Sequence, residues 1–148
     1  MTIVNDIISV EAFVKAHYPS PAYTYKQTAP LKPEAATFII GLLDDARSTE
    51  TGYHTRVDRT YQVAYVGDSV ADVMAKMDEL SYAFMDNTLI PVNGSARYIR
   101  VESFSYSAPF QTENDKWAAI GVMPTQIREA RTQGTAPLIT QVTIEIEN

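Results

Sequence analysis

From Ile3 to Val14 apolar residues recur at Ile3, Val4, Ile7, Ile8, Val10, Phe13 and Val14. That three-and-four spacing predicts a helix of about four turns with one apolar stripe. Thr2 is placed to cap it, and Pro19 and Pro21 end it, because proline lacks the amide hydrogen and turns the preceding residue away from helical geometry. A second helix is signalled by Asp68-Ser69 followed by Val70, Val73, Met74, Met77, Leu80 and Phe84. Asp72 stands where it would complete a capping box from Ser69, Asp86-Asn87 closes the helix, and Met74 and Met77 read as flexible core fillers.

Elsewhere the period changes to two. Val57, Tyr61, Val63 and Tyr65 share one face of a strand, and Ile99 and Val101 share another. Residues Lys116 to Arg128 read as a strand in which Pro124, unable to donate to a ladder, marks a bulge or an edge. The segment Leu138 to Asn148 alternates, with Leu138, Val142, Ile144 and Ile146 inward and Gln141, Thr143, Glu145 and Glu147 outward. Arg131 to Pro137 reads as the hairpin connection to it. Weaker strands at Ala22 to Lys26 and Ala35 to Leu43 bring the number to about six, in the order helix, three strands, helix, three strands. Successive strands without crossover helices predict a mainly antiparallel sheet packed on two helices, an α+β domain spanning residues 1–148. Two polar stretches, Asp44 to Gly52 and Ser107 to Asp115, read as loops, the first a projecting hairpin tip.

Composition narrows the function classes. A length of 148 residues suits one domain, and 45% hydrophobic with 20% charged residues is ordinary globular composition. Twelve Lys and Arg against 18 Asp and Glu give a net charge of -6, which repels a phosphate backbone and argues against a nucleic-acid-binding module. There is no cysteine, so neither disulfides nor thiolate metal sites contribute, as suits a reducing cytoplasm. Asp6 and Glu11 fall where a signal peptide would be basic and then apolar, so export by that route is not expected. The longest apolar run, Phe38 to Leu43, is far short of the roughly 20 residues of a membrane span, so a soluble protein is expected.

The search for chemistry leaves little. His17 and His54 fall in different elements without a companion at metal-ligand spacing, which suits surface or helix-end positions. The glycines at 41, 52, 67, 94, 121 and 134 form neither a nucleophile elbow nor a phosphate loop. The acidic pairs Asp44-Asp45 and Asp78-Glu79 are sequence neighbours, which point in different directions and read as solvated faces. Asn93-Gly94-Ser95 has the spacing of a glycosylation acceptor but reads as turn chemistry. The tyrosines, among them Tyr61, Tyr65, Tyr98 and Tyr106, are explained by strand propensity and core filling. No catalytic, cofactor or metal residue is assigned, and the expectation is a structural protein, not an enzyme.

Three strings set a further expectation. They are Arg59-Thr-Tyr-Gln-Val-Ala-Tyr65 entering a capped helix, Arg97-Tyr-Ile-Arg-Val-Glu-Ser-Phe104, and Pro109-Phe-Gln-Thr-Glu-Asn114. With the short first helix, their order and spacing resemble the tail terminator family of long-tailed bacteriophages, over most of the chain. The resemblance implies a homohexameric ring in the phage neck that caps the tail tube, ends its polymerisation and offers a head-tail joining surface. Implied partners are further copies of the chain, the tail tube protein, a head-side connector or neck protein and, in a contractile tail, a sheath protein. DNA would be met only in passage, and the location would be the virion, assembled in the host cytoplasm. Candidate interface residues on the polar hairpins and adjoining strands are Asp44, Asp45, Arg47, Glu50, Arg56, Arg59, Arg131 and Gln133. Glu145 and Glu147 are candidates for an acidic lumen lining that repels DNA, or else form the wet face of a strand. Alternatives are another neck component, of which adaptors are expected to be predominantly helical, and a small ligand-binding or enzymatic domain using the cleft between the second helix and the sheet, where Tyr82 and Arg100 are the residues to inspect.

Overall fold

A computed structural model describes residues 3–18, 23–28 and 31–131. Helix α1 (Ile3–His17) is followed by β1 (Tyr23–Lys26), β2 (Thr37–Thr49) and β3 (His54–Gly67), and then by helix α2 (Val70–Asp86). The short strands β4 (Leu89–Pro91), β5 (Tyr98–Val101), β6 (Ser105–Tyr106) and β7 (Phe110–Gln111) lead into the long β8 (Trp117–Ala130). The fold is α+β, and its two helices of 15 and 17 residues are outweighed by strand.

The sheet runs β1-β2-β3-β8-β5-β4. Its centre is antiparallel, with β3 paired to β2 on one side and to β8 along its whole length on the other. β1 is the exception, lying parallel to β2 through Tyr23–Thr37 to Lys26–Ile40. β5, β6 and β7 share the remaining edge of β8 in succession. Helix α1 reaches both ends of this order. Lys26 of β1 donates to Glu11 at 3.1 Å, while Asn5 donates to the carbonyl of Asn93, just past β4, and Ser9 Oγ accepts from the Asn93 amide, both at 3.0 Å. The sheet is therefore curled, with the helix across its opening.

Alternation builds the core. Val57, Tyr61, Val63 and Tyr65 of β3 lie with Phe38 and Ile40 of β2 and with Ala119, Met123 and Ile127 of β8 in one cluster that includes Val73, Met77, Leu80 and Phe84 of α2 and Ile7, Val10 and Val14 of α1. Each such fully buried side chain contributes about 1.5–3 kcal/mol relative to exposure. One half of the expected α2 capping box forms, Ser69 Oγ accepting from the Asp72 amide at 3.1 Å. The Asp72 carboxylate accepts from the Tyr65 hydroxyl at 2.9 Å. Burial first, then that carboxylate, pushes the Tyr65 phenol upward.

Several expectations need correction. Met74 is 53% exposed, so Met77 alone of the pair is core. Tyr98 and Tyr106 are exposed and fill no core. Asp44 to Thr49 is not a loop but the outer half of β2, the turn being confined to residues 50–53. Residues 107–115 contain β7. Pro124 causes neither a bulge nor an edge: the β3–β8 register passes through Thr60–Pro124 unbroken. Its carbonyl accepts from the Glu102 amide at 2.9 Å, so its amide-less nitrogen also faces that side, in the gap between β5 and β6 where no ladder bond is lost. Thr2, Pro19, Pro21 and the segments 132–137 and 138–148 lie outside the described residues.

Candidate assembly interface

Beyond the helices β2, β3 and β8 continue together as a three-stranded arm. From Leu43 onward every residue of β2 is exposed, while β3 keeps the alternation that buries Val57 and Arg59. A bulge sets the geometry. Leu42 pairs with Tyr61 but Asp44 pairs with Thr60, so Leu43 is an extra residue and the parity of β2 inverts after it. The inversion carries Asp45, and not Asp44, opposite Arg59 on the helix-facing side.

There the charges converge. The Arg59 side chain is 3% exposed; it donates from Nη1 to Asp6 Oδ2 of α1 and from Nε to Asp45 Oδ1 at 3.1 Å. Glu129 Oε1 lies 3.8 Å from Arg59 Nη2 and accepts from Arg47 Nη2 at 3.2 Å. Arg47 also stands 3.5 Å from Asp45. Asp6, 2% exposed, keeps Oδ1 buried without a hydrogen-bond partner. Burial therefore outweighs the pull of the Arg59 guanidinium and holds this carboxyl above its ordinary range. One α1 side chain and four arm side chains thus lock the base of the arm to the body.

The tip is tied differently. Arg128 donates from Nε and Nη2 to the two oxygens of Glu50, the second at 2.8 Å, and the bond from Arg128 holds the Glu50 carboxyl below its usual range. Arg131 bonds the Tyr53 carbonyl through its amide at 2.8 Å and the Thr51 carbonyl through Nη1 at 3.1 Å. Arg56, on the face opposite Arg59, contacts Asp58 at 3.2 Å. Exposed pairs of this kind are screened by solvent and add little to stability. Of the residues proposed from sequence, Asp45, Arg47 and Arg59 are gathered in one network, Glu50 and Arg131 lie at the tip, and the Asp44 carboxylate accepts from the Asp45 amide at 2.9 Å. Arg59 is withdrawn from the surface, so a direct contact with a partner is not open to it. Gln133, Glu145 and Glu147 lie outside the described residues. Asp6 and Glu129 were missed, although Asp6 interrupts the apolar stripe of α1 and Arg59 the apolar row of β3, a matched pair of opposite charges visible in the pattern.

Among the described residues the outer edge of β2 is open beyond Leu42. β1 pairs only as far as Ile40, and the Gln27 side chain extends that pairing by accepting from the Leu42 amide at 2.7 Å. Among the described residues no strand pairs with the arm beyond it. Strand alternation turns the N–H and C=O of Asp45, Arg47 and Thr49 away from β3.

Other depressions offer less. An open hollow of about 450 Å³ is lined by His17, Tyr18, Asp78, Glu79, Tyr82, Ala83, Asp86 and Asn87. Arg100 lines a different one with Thr88, Val101, Glu102 and Gln126, so the structure does not bring Tyr82 and Arg100 together. The space between α2 and the sheet is filled by Val73, Met77, Leu80 and Phe84. Among the described residues no group of three or more His, Cys, Asp or Glu is arranged to hold a metal ion, and no helix is long and apolar enough to cross a membrane.

No protein-family profile and no curated protein matches the chain. One solved structure, 17% identical, aligns over 91% of this chain and 99% of its own with a TM-score of 0.48.

Proposed function

We propose that the chain is a structural, non-enzymatic subunit that joins copies of itself into a closed ring, hexameric as its resemblance to phage tail terminators implies. In this reading the ring sits in the virion neck on the last ring of tail tube protein, ends polymerisation, and presents a joining surface to the head-side connector. The observation that supports it is the three-stranded arm, anchored at its base by the Arg59 network and carrying an open β2 edge. An edge of this length is a template for pairing, which natural sheets cover or blunt. A ring of head-to-tail contacts covers every such edge and closes, leaving none for unlimited growth. Net charge of -6 further suits a channel through which DNA must slide without adhering.

Light scattering and electron microscopy of the purified protein test this, together with particles assembled without it. Six-fold rings, and overlong or unjoined tails in its absence, are the expected results. A monodisperse monomer with normal virions in the deletion would defeat the reading.

A further inference from the structure

The geometry points to a specific occupant of the β2 edge: we propose that residues 138–147 of a neighbouring copy add to it as a strand. The inference rests on the assembly reading above and names its contact. The edge offers the outward backbone groups of Arg47 and Thr49 and the carbonyl of Asp45, whose amide is already taken by the Asp44 side chain. That is the footprint of a strand of about five or six residues.

The described chain leaves β8 at Arg131, pinned beside the hairpin tip by the Tyr53 and Thr51 carbonyls. This exit is at the far end of the arm from the chain's own helices. The 17 residues that follow span up to about 55 Å when extended, enough to reach an adjacent copy. Within them, residues 141–147 alternate strictly, and Glu145 and Glu147 are the only charged side chains of 132–148. The Arg47 side of the edge is polar, as a wet row requires, with Arg47 itself half exposed and already bonded to Asp45 and Glu129. Placing the wet row Gln141, Thr143, Glu145 and Glu147 on the Arg47 side turns Val142, Ile144 and Ile146 toward the other side, where Ala46 and the exposed Leu43 lie. An edge and a strand are different surfaces, so the contact is head-to-tail and repeats around a ring.

The chain contains no cysteine, so introduced thiols report without background. Full-length chains carrying Thr49→Cys and a distinguishing tag are co-expressed with chains carrying Gln141→Cys, Thr143→Cys or Glu145→Cys, and mildly oxidised. Paired strands bring Cα atoms to about 4.5–5.5 Å, within disulfide reach. A disulfide between differently tagged chains, strong for one donor position and weak for the others, is expected. A disulfide forming only inside a doubly substituted chain would overturn the proposal in favour of self-capping. Intact rings without any cross-link would overturn it while leaving the assembly reading standing, whereas a monomer in solution would remove the assembly reading itself. As a second measurement, Thr49→Pro deletes one outward amide at a position where an unpaired edge tolerates proline. About fivefold weaker self-association per contact is expected with the monomer's melting unchanged; unchanged self-association would count against the pairing.

Discussion

Replacing Arg59 by Met tests whether the base of the arm is held by charge. The guanidinium is 3% exposed and is the cation that contacts the 2%-exposed Asp6 carboxylate, while also serving Asp45 and Glu129. Arg59→Met keeps much of the side chain's volume but leaves the Asp6 carboxyl buried without the cation that contacts it. Breaking a buried pair from one side costs about 3–5 kcal/mol, a large share of the 5–15 kcal/mol that typically separates folded from unfolded states. For a domain of this size the midpoint of thermal unfolding should fall by roughly 10 °C. Removing both charges, Asp6→Leu with Arg59→Met, should return to within about 1 kcal/mol of the parent, since the penalty is the uncompensated charge. The pH dependence has a definite sign. Asp6 already sits above its ordinary 3.8, so its contribution is complete below that value and is lost as pH rises through the folded value. Without Arg59 the folded value climbs further, and the deficit should be greatest at neutral pH and shrink toward about pH 4. Urea titrations of the three proteins at both pH values measure this. A single variant within 1 kcal/mol of the parent, or a double variant as unstable as the single, would refute the reasoning.

Other outcomes follow from local geometry. Met77→Ala should cost about 2–5 kcal/mol in denaturant titration, whereas Met74→Ala, at a half-exposed position on the same helix, should cost well under 1 kcal/mol. Ser69→Ala removes the acceptor for the Asp72 amide and should lower stability by about 1 kcal/mol, read as a loss of about 2–4 °C in melting. Gly121→Ala would press its new carbon into the Phe104 ring and to 2.8 Å from the Val63 carbonyl, which the ladder holds fixed. A loss of about 1–3 kcal/mol is expected from calorimetry. Burial pushes the Tyr61 phenol up from 10.0 to about 12. Its contribution is complete below pH 10.0 and is lost as pH rises toward 12, so alkaline unfolding and late phenolate absorbance should coincide there.

What could be read from sequence was whatever lay above or below a core. Val57, Tyr61, Val63 and Tyr65 announced their strand because one side of it is dry, and Ser69 announced α2 because an orphan amide needs an oxygen. The outer half of β2 has solvent on both sides, so Asp44 to Thr49 carries no period and reads as loop. The bulge at Leu43 is equally silent, because an extra residue shows only against the partner strand. Arg59 was assigned to the surface by its charge, although its place in an apolar row put it inside. Pro124 misled because proline was weighed against a full ladder, while β8 has a gap beside it between β5 and β6. The strands of two residues, β6 and β7, are too short for any periodicity to mark.

The helix that spans the sheet opening also fixes an order of events during synthesis. Asn5 and Ser9 wait for Asn93, 88 and 84 positions later in the chain. At about 5–20 residues per second, α1 spends roughly 4–18 s outside the ribosome before its anchors at Asn93 can be made. For that interval the apolar stripe of Ile7, Val10 and Val14 has only part of its final cover. An early helix whose cover is completed late makes the nascent chain a natural client for holding chaperones, and slowing translation ahead of residue 93 should lengthen that vulnerability.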